Sequence, residues 1–158
     1  MLKEFLKKDN KLFILGIWNE LRCDDNSWSL LVKRLAELSH GIVNVTIFDG
    51  GSVPENYTGA IKKENPTNII LIDAAEMGEN PGYTRIINSD EIAKYHLSTH
   101  AMPLSFLVKY LKNSTNAEII LIGIQPKQLE LSDEISIEIK KSIDYLLKIF
   151  IKILNLNK

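Results

Sequence analysis

The chain has very little cysteine and no excess of charge of either sign. Cys23 is the single cysteine among 158 residues, so no internal disulfide can form, which is typical of proteins from a reducing cytosol. The 19 Lys and Arg residues and 20 Asp and Glu residues leave a net charge of -1. Without a broad field of one sign, we expect no nucleic-acid or membrane partner, and we expect a cytoplasmic protein.

Several sequence signatures of other protein classes are also missing. The sequence has no apolar segment long enough to span a bilayer, and its opening residues, MLKEFLKKDNK, lack the apolar core of a signal peptide. Neither a G-x-G-x-x-G motif nor a P-loop follows the first strand-like segment, which argues against nucleotide binding. There is no G-x-S-x-G elbow, and the surroundings of Cys23 favour a packed thiol over a nucleophile.

Apolar segments of strand length alternate with segments of helical periodicity. Continuous apolar or β-rich runs predict strands at 12–17, 43–48, 68–73 and 118–124, and a short edge strand at 84–88. Such an alternation predicts an α/β fold with three layers, α/β/α, in which a twisted, mostly parallel sheet is flanked by helices on both faces. With 45% apolar residues, the whole chain, 1–158, is expected to form one domain.

The helices are predicted from apolar spacing and from capping residues. Trp28, Leu31, Leu35 and Leu38 recur at helical spacing and predict a helix that ends at Gly41. A capping box at 52–55 predicts the start of a short helix. Thr99 is predicted to cap another helix, whose apolar face consists of Leu104, Leu107, Val108 and Leu111. Ser132 is predicted to cap a long helix, whose buried face consists of Ile135, Ile139, Ile143, Leu146, Phe150 and Ile153.

Acidic residues follow the predicted strands at their carboxyl ends. Asp24 and Asp25 come after the first strand, Asp49 ends the second, Asp73 ends the third, and His100 opens the helix before the last long strand. Ligands of open parallel sheets bind beyond these ends. Two carboxylates and an imidazole suit a divalent metal such as zinc or nickel, and three protein ligands leave coordination positions open. The long, irregular spacing is weak evidence for a metal by itself.

Each of these residues also has a purely structural interpretation, and the sequence pattern leaves both open. Asp25 precedes an amphipathic segment and could be an N-cap, while Asp49 precedes two glycines and could form a turn. Asp73 follows an apolar run, and its carboxylate could accept hydrogen bonds from nearby backbone N–H groups. The helix dipole disfavours a cationic His100, which leaves a neutral, ligand-competent ring, but a solvated histidine fits equally well.

Five blocks carry a resemblance that extends from about residue 12 to 149. They are GIWNELRCDD, FDGGSVPENY, IILIDAAEMGENPG, LSTHAMPLSFL and LIGIQPKQLELS. In this order they resemble the maturation endopeptidases of nickel–iron hydrogenases, most closely the branch that serves hydrogenase 3. The resemblance implies a twisted sheet between helices and an endopeptidase that cuts a C-terminal extension from the hydrogenase large-subunit precursor after nickel has been installed.

The resemblance also implies a set of site residues. The family's metal site, which is thought to grip the nickel of the substrate, corresponds to Asp25, Asp73 and His100, and we expect these three to be catalytic. Asn19 and Asp49 are expected to support them. The nickel would come from the precursor, and another divalent ion could occupy the free enzyme.

The first block departs from the family pattern at three positions. Trp18, Asn26 and Trp28 stand where the family usually has glycine, a residue that permits positive φ or close backbone approach. These differences motivate an alternative, a non-catalytic relative of the same fold that binds the precursor or a metal. A small-molecule hydrolase on the same scaffold is a third class, and no motif supports it.

Overall fold

The computed structural model describes residues 2–6, 10–18, 23–97, 102–127 and 135–156, and at 23, 25–27, 96 and 97 it describes the backbone alone. The strands of this part of the chain are β1 (Leu12–Ile17), β2 (Val45–Gly51), β3 (Asn68–Glu76), β4 (Thr84–Asn88), β5 (His96–Leu97) and β6 (Glu118–Ile124). The helices are α1 (Leu2–Phe5), α2 (Cys23–Leu38), α3 (Thr58–Glu64), α4 (Leu104–Ser114) and α5 (Ile137–Leu154), with a 3-10 turn at Pro54–Tyr57.

The sheet has the strand order β2-β1-β3-β6-β4, and β5 pairs with the end of β3. Strands β2, β1, β3 and β6 run parallel to their neighbours. Strand β4 is antiparallel to β6 at one edge, and β5 is antiparallel to β3. The predicted mostly parallel sheet, including its short edge strand at 84–88, is therefore confirmed.

Both faces of the sheet are covered by helices, which explains the continuous apolar runs of the strands. All six residues of β1 are buried. Ile14 belongs to the core that α1, α2 and α5 complete, whereas Phe13 and Leu15 belong to the core under α3 and α4. Because successive side chains of a strand point to opposite faces, a strand between two helical layers must be apolar at every position. The predicted three-layer fold is confirmed.

Two helix faces match their predictions closely. Leu104, Leu107, Val108 and Leu111 of α4 are all buried. In α5, Ile139, Ile143, Leu146 and Phe150 are buried, and Ile153 packs against the same core as a partly buried residue. Ile135, which was predicted on this face, precedes the helix but also packs against that core. No helix within the described ranges is long and apolar enough to cross a membrane.

Some predicted boundaries are wrong, and local backbone geometry gives the reason. Strand β2 begins at Val45 because Asn44 has a φ of 80°, which interrupts extended backbone, and Val43 is 84% exposed. Helix α2 ends at Leu38 and not at the predicted Gly41. The side chain of Leu38 is 42% exposed, so it is not part of the buried face on which it was predicted.

The predicted helix caps agree less well with the structure than the predicted helices do. Helix α5 has Ser136 as its N-cap and not Ser132, which lies outside the described residues, as does Thr99. The 3-10 turn has Val53 at its N-cap and no side-chain capping bond, so the capping box predicted from Ser52 does not form. Pro103 is the N-cap of α4, where its missing N–H group costs no helical hydrogen bond.

Candidate active site at the carboxyl edge of the sheet

Asp24 lies in the first turn of α2, and its side chain is fully buried. Its Oδ1 accepts a hydrogen bond of 2.9 Å from the backbone N–H of Ser136. Its Oδ2 accepts bonds of 2.9 Å from the backbone N–H of Lys127 and from the Ser136 hydroxyl. These charge-assisted bonds compensate the buried carboxylate and join α2 to the segment after β6 and to the start of α5. Asp24 is therefore an anchor of the fold beside the site.

Asp25, the next residue, lies inside the first turn because α2 already begins at Cys23. The N-cap interpretation of Asp25 is therefore wrong. An acidic residue in this turn is favoured by the helix dipole. The side chains of Cys23, Asp25 and Asn26 are not described, and Asn19 lies outside the described residues. The ligand role of Asp25 and the supporting role of Asn19 stay predictions.

Asp49 lies within β2, opposite Gly16 of β1, so the interpretation as a turn residue is wrong. The indole N–H of Trp18 donates a hydrogen bond to Asp49 Oδ1. The Ser29 hydroxyl donates to Oδ2 at 3.0 Å, and Lys33 Nζ lies 3.7 Å from the same oxygen. The carboxylate of Asp49 thus connects the end of β1 to β2 and to α2.

Asp73 lies within β3, beside Gly123 of β6, and has no exposed surface. The strand continues to Glu76, so Asp73 does not end it as predicted. Leu71 and Ala75 pack under α3 and α4, and the alternation of the strand puts Asp73 on that face. Asp49 instead faces α2, on a strand two inter-strand spacings away, roughly 10 Å. The two carboxylates therefore do not share a ligand.

The segment that contains His100 lies outside the described residues, but the residues on both sides of it are described. Leu97 of β5 pairs with Ala75, two positions beyond Asp73. Met102 packs against the core under α3 and α4. Met102 therefore lies on the side of the sheet that Asp73 faces, and Leu97 lies beside the end of β3.

The metal site predicted from the resemblance stays a prediction. Within the described ranges, no three His, Cys, Asp or Glu side chains are grouped closely enough to hold a metal ion. That search does not include His100 or the side chain of Asp25. The donor set is chemically suitable for nickel, because two carboxylates and an imidazole are ligands of divalent first-row metals.

Gln125 is a buried polar residue that the sequence reasoning missed. It follows β6 directly, and its side-chain Oε1 accepts bonds from the backbone N–H groups of Met77 at 2.7 Å and Glu79 at 3.3 Å. Its Nε2 donates to Glu76 Oε1 at 2.9 Å. Gln125 therefore orders the loop after β3, the strand that carries Asp73. A polar residue directly after a buried strand is the signal that could have identified it.

Arg85 adds a fixed positive charge to this edge. It pairs with Gly123, which lies between it and Asp73 in the sheet. Its guanidinium donates to the Tyr95 hydroxyl at 3.3 Å and to Glu79 Oε1 at 2.8 Å. Its contacts with Tyr95 and Tyr83 raise the pKa of Arg85 above its usual range, so the side chain is cationic at every working pH.

The two tryptophans that replace family glycines have different surroundings. Trp28 is fully buried and belongs to the core with α1, α2 and α5. Its indole Nε1 has no hydrogen-bond partner among the residues described. Trp18 is half-buried, packs against the same core and is bonded to Asp49.

Comparisons with known proteins identify the family of the chain. The HycI sequence model of hydrogenase maturation proteases matches residues 30–153, which include Asp73 and His100 but not Asp25. The crystal structure of the [NiFe] hydrogenase maturation protease HycI from Thermococcus kodakarensis KOD1 has a TM-score of 0.86 and 32% identity, with 98% of each chain covered. The hydrogenase 3 maturation protease of Escherichia coli K12 is 41% identical over 114 residues, which are 72% of this chain and 71% of that protein. MJ0631 of Methanocaldococcus jannaschii, itself provisionally named a hydrogenase maturation protease, is 42% identical over 160 residues, covering 98% and 94%.

These likenesses define the class of the protein, a protease of α/β fold. The chain belongs to the hydrogenase maturation protease family. Within that family, its similarity is to the HycI branch, which includes the proteases named for hydrogenase 3.

Proposed function

We propose that the chain is an endopeptidase that removes the C-terminal extension of the large-subunit precursor of a [NiFe] hydrogenase, and that it acts on the nickel-loaded precursor. The observation that carries this proposal is the likeness over 98% of both chains to a protease of that name, together with the family match. The nickel is part of the substrate and not a resident cofactor, although the free enzyme could hold another divalent ion.

Asp25, Asp73 and His100 would bind the nickel through its open coordination positions. Asp73 supports this role as a fully buried carboxylate at the carboxyl edge. His100 is three residues after Leu97, which pairs with Ala75 beside Asp73, and three residues span at most about 10 Å. Asp25 belongs to a helical turn that the neighbouring Asp24 anchors with three hydrogen bonds.

Binding of the nickel would align the C-terminal tail with its scissile peptide bond in the cleft. Hydrolysis adds one water across this bond, so the carbonyl carbon gains the hydroxyl group and the leaving amine gains a proton. The metal could polarise the carbonyl as a Lewis acid, or a nearby carboxylate could activate the water as a general base. Because Asp73 has no exposed surface, contact with a foreign nickel requires the groups covering Asp73 to move.

This arrangement gives a physical reason for acting after nickel insertion. A ligand set completed by the metal of the substrate gains affinity only from a loaded precursor. An empty precursor would leave the carboxylates and the imidazole without that partner, and it would therefore be rejected.

The test compares purified protein on nickel-loaded and nickel-free large-subunit precursor, with cleavage followed by mass spectrometry. We expect cleavage of the loaded form alone, and loss of at least about a hundredfold in rate for Asp73→Asn and His100→Gln. Asp144→Asn, which changes an exposed acid of α5, is the matched control and should keep full activity.

Three outcomes would change the assignment. Equal cleavage of both precursors would refute nickel gating while leaving the endopeptidase. Cleavage that survives Asp73→Asn and His100→Gln would refute the proposed ligands. Binding of the loaded precursor without cleavage would identify the non-catalytic relative instead.

A further inference from the structure

Trp18 is joined to the end of β2 by both its backbone and its side chain. It follows β1 directly, and its backbone N–H donates to the carbonyl oxygen of Gly51 at 3.1 Å. Its indole N–H donates to Asp49 Oδ1. Trp18 is therefore fixed immediately before the connection to α2, which carries Asp25.

The second oxygen of Asp49 continues this connection into α2. Ser29 donates its hydroxyl to Asp49 Oδ2 at 3.0 Å, and Ser29 is itself buried. Positions 25 and 29 are four residues apart, so they lie one turn apart on the same face of the helix. A bond that fixes the direction of Ser29 from the helix axis also fixes the direction of position 25.

Asp49 has little remaining capacity for another role. A carboxylate offers about four acceptor positions. Trp18 uses Oδ1, while Ser29 and Lys33 approach Oδ2. Asp49 also faces away from Asp73, on the opposite side of the sheet. These contacts suit a residue that orients its neighbours and not one that activates water.

We propose that Trp18 is a positioning residue for precursor cleavage: its indole N–H holds Asp49, Asp49 holds Ser29, and these hydrogen bonds fix the rotation of α2 that directs Asp25. This inference rests on the proposed function. Glycine, which the family usually has at this position, has no side-chain hydrogen-bond donor. The hydrogen bond to Asp49 is therefore specific to chains with tryptophan at position 18.

The experiment uses Trp18→Phe, which keeps an aromatic ring but removes the N–H donor, along with Asp49→Asn and the double variant. Trp28→Phe is the matched control, because Trp28 is buried and its Nε1 has no acceptor among the described residues. Each protein is assayed for KM and kcat on nickel-loaded precursor and for its midpoint of urea unfolding. In addition, ¹⁵N–¹H spectra report the two indole N–H signals, one for each tryptophan.

We expect Trp18→Phe to raise KM for the loaded precursor about tenfold, as the loss of one charge-assisted bond implies, with kcat within about twofold. Trp28→Phe should lower stability while leaving KM unchanged. The double variant should be no worse than the poorer single variant, because both changes remove the same contact. Asp49→Asn should shift the indole signal that Trp18→Phe removes.

Other outcomes would overturn the inference. If the wild-type chain cleaves loaded precursor and Trp18→Phe has the same KM, Trp18 does not position the site, and the proposed function is untouched. Additive losses in the double variant would also refute the shared hydrogen bond. If the wild-type chain does not cleave loaded precursor, the proposed function fails and this role of Trp18 fails with it.

Discussion

Replacing Asp24 by alanine should strongly destabilise the fold, although Asp24 is not one of the proposed ligands. The carboxylate accepts three hydrogen bonds of 2.9 Å, from two backbone N–H groups and one hydroxyl, and it is fully buried. Bonds to a charged group contribute about 1.5–3 kcal/mol each, which sets an upper limit of about 9 kcal/mol. Alanine would leave these three donors without their acceptor, at about 1–3 kcal/mol each, but it would also relieve the desolvation of the buried carboxylate, so the net cost is below the upper limit.

We therefore expect Asp24→Ala to lower the free energy of unfolding by about 3–5 kcal/mol, or the melting temperature by about 6–20 °C for a chain of this length. Asp24→Asn has the same shape and keeps one acceptor oxygen, so it should cost less, about 1–3 kcal/mol. Urea unfolding followed by circular dichroism measures both, and the Asn variant keeps the test usable if the Ala variant does not fold.

Two comparisons make this test specific. Asp144→Ala removes an exposed acid of α5 and should change stability by less than about 0.5 kcal/mol. A double-mutant cycle of Asp24→Asn with Ser136→Ala should give a coupling energy of about 0.5–3 kcal/mol. A loss below 1 kcal/mol for Asp24→Ala, or a coupling near zero, would show that the three bonds do not hold these segments together.

Two further changes test the packing around the site. A methyl group at Gly16 would overlap Val32 Cγ2, so Gly16→Ala should lower the free energy of unfolding in urea by about 1–3 kcal/mol. Adding Val32→Ala should recover part of that loss. A Gly16→Ala variant of unchanged stability would contradict the packing of α2 on β1. Gln125→Ala removes the acceptor of the Met77 and Glu79 N–H groups, so it should lower the free energy of unfolding by about 1–3 kcal/mol and speed amide hydrogen exchange at both positions. Unchanged exchange would show that Gln125 does not order the loop after β3.

The sheet was largely predictable because its signal is local. A strand covered on both faces must be apolar at every position, and the segments 12–17 and 118–124 have that composition and coincide with β1 and β6. The boundaries that failed depend on single backbone conformations. The positive φ of Asn44 delays β2, and the N-cap of α5, Ser136, donates its N–H to Asp24, a residue distant in the chain.

The candidate site was predictable only in part. The acids were expected at the carboxyl edge because parallel strands end together, and Asp49 and Asp73 are there. Their division between opposite faces of the sheet follows from strand alternation combined with the observed helix packing. The sequence pattern gave no separate role to Asp24, and the fold identifies it as the anchor of α2.

By itself, the sequence determined the order of strands and helices, the class of fold and the family, because periodicity and motif order are properties of neighbouring residues. Tertiary structure alone decided which polar groups meet. Asp24 bonds to residues 103 and 112 positions further along the chain, and Trp18 meets Asp49 across 31 positions. Contacts of this kind depend on how strands and helices pack in three dimensions, and no local pattern of residues encodes that packing.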